Sequence, residues 1–174
     1  NGDVASDHYH HFREDIRMMK EGGQNSYRFS LAWPRIIKNR EGEVNQEGVD
    51  FYNRLIDACL EYGITPMVTI FHWDLPQYLE EKGGWLNRDT CVAYTHYAKV
   101  CFERFGDRVK LWATFNEPRY YTNSGYLIGN YPPGHQDIQE TVTASYYMML
   151  ASAMAMEAFR TGGYDGQIEI GRAH

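Results

Sequence analysis

Leu111-Trp112-Ala113-Thr114-Phe115-Asn116-Glu117-Pro118 is the stretch on which the reading of this chain turns. It begins as a hydrophobic run, and two polar side chains, Asn116 and Glu117, appear together where that run ends. Proline disfavours the right-handed helical region for the residue before it, so Glu117 is expected to be held extended, as the last residue of a strand would be. A carboxyl group fixed at a strand end beside an amide is suited to proton transfer. By itself, Thr114–Pro118 reads more simply as an N-cap or turn glutamate, and the flanking sequence has to decide.

Upstream, Cys91, Tyr94, Ala98, Cys101, Phe102 and Phe105 fall on one side of a helix that Gly106 closes. Before it, beyond a loop with Pro76 and Gly83-Gly84, Thr65 to Phe71 is a continuous apolar run with β-branched residues, as expected of a strand buried on both faces. Val49, Tyr52, Ile56, Cys59 and Leu60 mark the buried face of an earlier helix, with Asn45 as N-cap, Glu47 in its first turn and Gly63 at its end. Ser26 to Trp33 alternates and stops at Pro34, which predicts a strand, and Tyr9, Phe12, Ile16 and Met19 predict a helix stopped by Gly22-Gly23. Downstream, the aromatic segment from Pro118 to Asp137 contains Pro132-Pro133-Gly134 and is expected to lack regular structure. A Met- and Ala-rich helix is predicted from about Ile138 to Arg160, and Gln167-Ile168-Glu169-Ile170 is a weak final strand.

Strands starting near residues 26, 65 and 111, each followed by a helix, are repeated β/α units with parallel strands. A doubly wound sheet and a barrel both fit this pattern. No glycine-rich phosphate loop follows any strand, which weakens a nucleotide-binding reading. A full eight-unit barrel typically takes ~250 residues. At about 40 residues per unit, 174 residues hold a little over four units. The expected fold class is therefore α/β, a partial (β/α)8 TIM barrel with about four of the eight units, folded as one domain over residues 1–174.

The balance of 17 basic and 23 acidic residues, a formal net charge of −6, argues against a nucleic-acid or polybasic membrane partner. No apolar run approaches the ~20 residues needed to span a bilayer. The chain opens Asn1-Gly2-Asp3 rather than with Met, as expected of a processed product or a piece of a longer protein. Cys91 and Cys101 are expected on one helix, ~15 Å apart at 1.5 Å per residue, too far for a disulfide. With Cys59 they read as reduced thiols of a cytoplasmic protein.

In a parallel β/α barrel the active site forms at the carboxyl ends of the strands. The first strand carries Arg28 and reaches Trp33, the second ends in His72-Trp73-Asp74, and the third in Asn116-Glu117. Alone, each residue has an ordinary explanation: a structurally paired Arg, a hydrogen-bonded spacer His, a core Trp. The same placement at three strand ends points to a site. These residue types suit a carbohydrate, which offers hydroxyls to amide, imidazole and carboxylate groups and apolar faces to indole rings. A carboxyl whose pKa is raised by burial or a neighbouring carboxylate can protonate a leaving glycosidic oxygen.

Tyr27-Arg28-Phe29-Ser30-Leu31-Ala32-Trp33-Pro34-Arg35, Phe71-His72-Trp73-Asp74-Leu75-Pro76, Gly83-Gly84-Trp85-Leu86-Asn87-Arg88 and Thr114-Phe115-Asn116-Glu117-Pro118 resemble the signature blocks of family 1 glycoside hydrolases. Asp7-His8-Tyr9-His10 and Tyr131-Pro132-Pro133-Gly134 fit as well, so the resemblance covers nearly the whole chain in order. It implies a (β/α)8 barrel that hydrolyses β-glycosides with retention and without a metal or cofactor. It also implies Glu117 as general acid/base, Asn116 on the sugar 2-hydroxyl, His72 and Trp73 lining the non-reducing sugar subsite, and Arg28 beside the nucleophile. A retaining mechanism needs a second carboxylate ~5–5.5 Å from the first. The family's nucleophile lies in a Thr-Glu-Asn-Gly type block on a later strand, and no such block occurs in this sequence. The family's first strand is expected to precede Asn1, its carboxyl-terminal half to follow His174, and the ending Glu169–His174 fits its fifth strand only loosely.

The expected function is thus a β-glucosidase-like fragment with the acid/base but no nucleophile, inactive alone on a β-glucoside. A 6-phospho-β-glucosidase or 6-phospho-β-galactosidase fragment is the alternative. A non-catalytic sugar-binding half barrel, self-associating or completed by a complementary half, is the reading from another class; an unrelated β/α enzyme using Glu117 as a base would make every block a coincidence. Asp74 is expected to bond loop backbone rather than replace the nucleophile. His8, His10 and His11 lack a Cys or carboxylate partner at ligand spacing, so no metal is expected.

Overall fold

The structure, a computed structural model, describes residues 5–171. In chain order the regular elements are α1 (His8–Glu21), β1 (Ser26–Ser30), α2 (Trp33–Ile36), α3 (Gln46–Glu61), β2 (Thr65–Phe71), α4 (Gln77–Glu80), α5 (Asp89–Phe105), β3 (Leu111–Phe115), α6 (Pro118–Thr122), α7 (Ile138–Thr161) and β4 (Gln167–Glu169). A 3-10 turn, Gly84–Leu86, precedes α5, and a π-helical segment, Asn123–Ile128, continues α6.

The four strands lie parallel in the order β1-β2-β3-β4. This order settles the choice left open by periodicity. A doubly wound sheet reverses its strand order at a switch point, whereas here every unit adds its strand beside the last, as a barrel wall requires. The chain forms a partial (β/α)8 barrel.

The pairing register sets the two faces. Ser30, Thr69, Ala113 and Glu169 form one cross-strand row, and Arg28, Met67, Leu111 and Gln167 another. Side chains alternate along a strand, so these rows share the face away from the helices, where Arg28, Ser30, Gln167 and Glu169 are exposed. The opposite face carries the buried Phe29, Val68, Ile70, Trp112 and Thr114.

That second face is covered by helices whose apolar stripes match it. On α5, Tyr94, Tyr97, Ala98, Cys101, Phe102 and Phe105 are fully buried, and Phe102 meets Trp112 edge-on at 5.1 Å. Two α5 tyrosines also serve the backbone: Tyr94 donates to the Thr114 carbonyl at 2.5 Å and Tyr97 to the Ile70 carbonyl at 2.9 Å. A buried phenol needs such a partner, and these bonds fix α5 against the carboxyl halves of β2 and β3. Asp137 caps α7 by accepting the Glu140 N–H, and Ser152 of α7 shares a buried hydrogen bond with Thr114 at 2.8 Å. Gly48 is required on α3, because a Cβ there would run into the Arg35 carbonyl.

The expected elements are found, with four differences. Trp33 does not end a strand: β1 stops at Ser30, and Trp33 opens α2, with Pro34 in the first turn, where proline's missing N–H costs nothing. Trp33 is buried and stacks on Tyr97 at 5.0 Å. Pro118–Ile128, expected to be irregular, is helical, because Pro118 starts a helix rather than breaking one. Leu60, expected on the buried face of α3, is exposed at its last turn. Asn45 sits at the α3 N-cap position, but its side-chain amide donates to the Arg35 carbonyl instead of capping.

The three cysteines are buried and unpaired. Among the described residues no helix is long and apolar enough to cross a membrane. Arg172, Ala173 and His174, part of the expected fifth-strand block, lie outside the described residues.

Candidate active site

Asn116 extends β3 by one rung, donating its N–H to the Phe71 carbonyl at 2.9 Å. The chain then turns sharply. Glu117 adopts a left-handed conformation (φ 42°, ψ 57°) and becomes the N-cap of α6. This corrects the expectation of an extended Glu117. Pro118 does disfavour the right-handed helical region, and the chain meets that restriction by turning left-handed. Glu117 is half-buried, its N–H donates to the Gly171 carbonyl at 3.2 Å, and its carbonyl accepts from Tyr121. Gly171 is needed there, since a Cβ would collide with the Phe115 carbonyl.

The end of β2 is built in a similar way. Trp73 is also left-handed (φ 76°), and its indole N–H donates to the Asn116 carbonyl at 2.9 Å. Asp74, expected to bond loop backbone, accepts from the backbone N–H groups of His72 and, across to α2, of Trp33 at 2.7 Å. Burial pushes the Asp74 carboxyl above its ordinary pKa, and those N–H groups and Arg35 pull only partly against it. His72 is exposed, with a pKa lowered first by burial and second by the Arg28 charge.

Arg28 reaches across the sheet. Its Nε donates to Thr69 Oγ1 at 2.9 Å and its terminal nitrogen to Asn116 Oδ1 at 3.0 Å. The structure thus brings Arg28, His72 and Asn116 together along one open cleft of about 360 Å³, shared with Tyr27, Ser30 and Thr69. Glu117 lines a second, larger cleft of about 900 Å³ with Arg119, Tyr120, Asn123, Ser145 and Met149. Trp73 borders Asn116 through its hydrogen bond. His72 and Trp73 follow the end of β2, Asn116 and Glu117 follow the end of β3, and Arg28, in the middle of β1, joins them only through its side chain; Glu117 opens onto a different cleft from Arg28 and His72.

Sequence reading missed three supports of this region: Thr69 under Arg28, and Tyr120 and Tyr131 against Trp73. Tyr120 stacks on the indole at 5.6 Å and Tyr131 meets it edge-on at 5.7 Å. The tyrosine density of residues 120–131 was the available signal. The histidine group does meet carboxylates, which corrects the expectation that it lacks them: His8 contacts Asp15, and His10 and His11 contact Asp7. Among the described residues no group of His, Cys, Asp and Glu side chains is placed to hold a metal ion.

A singly wound parallel sheet with an amide, a carboxyl, an imidazole and a guanidinium gathered at the carboxyl ends of its strands defines one sector of a (β/α)8 barrel enzyme. The chain belongs to glycosyl hydrolase family 1, whose profile matches residues 1–173. It is 50% identical to a beta-glucosidase A of Thermotoga maritima over 97% of this chain and 38% of that protein. It is 46% identical to a 6-phospho-beta-glucosidase of Bacillus subtilis over 95% of this chain and 36% of that protein. A solved structure of the Thermotoga maritima beta-glucosidase with a substituted glucoimidazole superposes with a TM-score of 0.94 at 49% identity, covering 98% of this chain and 39% of that one. The chain thus spans well under half the length of the relatives it matches.

Proposed function

We propose that this chain is the amino-terminal part of a retaining β-glucosidase and supplies the general acid/base, Glu117, but not the nucleophile. The observation that carries this reading is the convergence at the ends of β2 and β3: Asn116 is held by Arg28 and Trp73, and Glu117 follows it in a chain of this family. In this reading Glu117 protonates the leaving oxygen and later deprotonates water. Asn116 bonds the sugar 2-hydroxyl, His72 and Trp73 flank the non-reducing sugar, and the Arg28 charge orients the nucleophilic carboxylate. The lowered His72 pKa supports a neutral imidazole at pH 7, able to accept or donate a hydroxyl hydrogen bond.

The open inner face of the sheet supports a site completed by further strands of the same barrel. An exposed apolar stripe on α7, Ile138, Val142, Tyr146 and Met149, supports a covering element there too. A single domain formed together with those strands, and a reducing cytoplasm suited to three unpaired thiols, belong to the same proposal. Until covered, such edges favour self-association or capture of a complementary half.

The test replaces the matching segment of the Thermotoga maritima beta-glucosidase with this chain. The expected result is hydrolysis of para-nitrophenyl β-glucoside that Glu117→Gln lowers ~10²–10⁴-fold, the range of general acid–base catalysis. The 174-residue chain alone is expected to show no turnover. Turnover by the chain alone, lost in Glu117→Gln, refutes the missing nucleophile. The similarity to 6-phospho-beta-glucosidases favours assaying the 6-phosphorylated substrate in parallel, and a preference for it moves the proposal to that substrate.

A further inference from the structure

Two non-glycine residues, Trp73 and Glu117, turn left-handed just beyond the ends of the neighbouring strands β2 and β3. That conformation crowds Cβ against the backbone and costs free energy, so it persists where surrounding contacts hold it. The peptide linking Asn116 to Glu117 is held on both sides. Its N–H, that of Glu117, donates to Gly171, and its carbonyl, that of Asn116, accepts the indole N–H of Trp73 at 2.9 Å. The indole is itself clamped by Tyr120 and Tyr131. Tyr120 lies on α6, the helix that Glu117 caps, so the indole grips both the peptide before Glu117 and the helix after it.

An indole has one donor and no acceptor. With that donor committed to a backbone carbonyl, Trp73 can offer a sugar only its ring surface. We infer that Trp73 is a positioning residue for Glu117: its N–H fixes the plane of the Asn116–Glu117 peptide and thereby the direction in which the Glu117 carboxyl leaves the end of β3. This deepens the proposed function and rests on Glu117 acting as the acid.

Trp73→Phe keeps an aromatic ring against Tyr120 and removes the donor. In the isolated chain the test is by nuclear magnetic resonance. The Trp73 indole proton, assigned by its disappearance in Trp73→Phe, is expected to exchange with water at least ~10-fold more slowly than a free indole, as a protected hydrogen-bonded proton does. The Glu117 amide resonance should shift in the variant. An indole proton exchanging at the free rate, or an unmoved Glu117 amide, overturns the inference.

The kinetic test uses the Thermotoga maritima enzyme carrying this chain, with phenyl and dinitrophenyl β-glucosides. A poor leaving group needs the acid and a good one does not. A misplaced acid should cost ~10–100-fold in kcat/KM on the phenyl substrate, the scale of a 1 Å misplacement. On the dinitrophenyl substrate kcat/KM should change little, and KM should not rise, because slower release of the glycosyl-enzyme lowers kcat and KM together. Equal losses on both substrates, or a rise in KM alone, assign Trp73 to sugar binding instead. If Glu117→Gln itself shows no dependence on leaving group, the acid role of Glu117 is what fails, and the resonance data still decide what Trp73 holds.

Discussion

The two faces of the sheet are made differently. The helix-facing side is finished: Phe29, Val68, Ile70, Trp112 and Thr114 are buried, and the strand-end carbonyls beside them are bonded by α5 tyrosines. The other side is mixed: Arg28, Ser30, Gln167 and Glu169 are exposed, Met67 and Leu111 are half-buried, and Thr69 and Ala113 are covered. Stability and chemistry are thereby divided between the faces. Apolar burial, worth ~25 cal/mol per Å², is collected mainly on one, while the other presents Arg28 to Asn116 at the rim.

The strongest way to break this contrast is to remove bulk from the finished side. Phe102→Ala empties a site packed by Trp112, Phe159 and Tyr164 and is expected to cost ~3–5 kcal/mol. Ser30→Ala on the open face should stay within ~0.5 kcal/mol. Urea unfolding of both variants checks this, and comparable losses would abolish the distinction.

The next effect lies between the faces, at Asp74. Asp74→Ala leaves the Trp33 N–H without its acceptor and should cost ~1–3 kcal/mol. The folded-state pKa of Asp74 is raised, so its titration favours folding fully below the ordinary 3.8 and that contribution is lost as pH rises through the folded value. The deficit of the variant should therefore be larger in acid than at neutral pH in denaturant titrations at both.

The smallest effect belongs to the open face. Arg28→Met removes the lesser of two causes depressing His72, so the His72 titration midpoint should rise yet remain below the ordinary 6.5, because burial persists. For His72 the sign is opposite to Asp74: its contribution is present above pH 6.5 and lost as pH falls through the folded value. Imidazole resonances followed against pH measure the shift, and an unmoved midpoint would mean that Arg28 does not act on His72.

The finished face was the more legible in the sequence. Tyr94, Ala98, Cys101, Phe102 and Phe105 recur at helical spacing, and the apolar, β-branched run Thr65–Phe71 is buried from Val68 onward. The rim was legible in residue type but not in backbone. Pro118 restricts Glu117 without saying whether the chain turns extended or left-handed, and the same proline starts α6 where a break was expected. Nor can spacing disclose that the Trp73 indole spends its donor on a carbonyl 43 residues away. Such bonds depend on how β2 and β3 lie side by side, which no local pattern encodes.

The last strand carries a consequence for motion. β4 is three residues long and pairs along only one described edge, with β3. Short edge segments with few buried apolar contacts open at low free energy. The carbonyl that receives the Glu117 N–H, Gly171, lies two residues beyond this strand. Each local opening there lets go of one side of the peptide that aims Glu117, so amide exchange at Glu117 should follow the fraying of β4 and not the far slower global unfolding of the core.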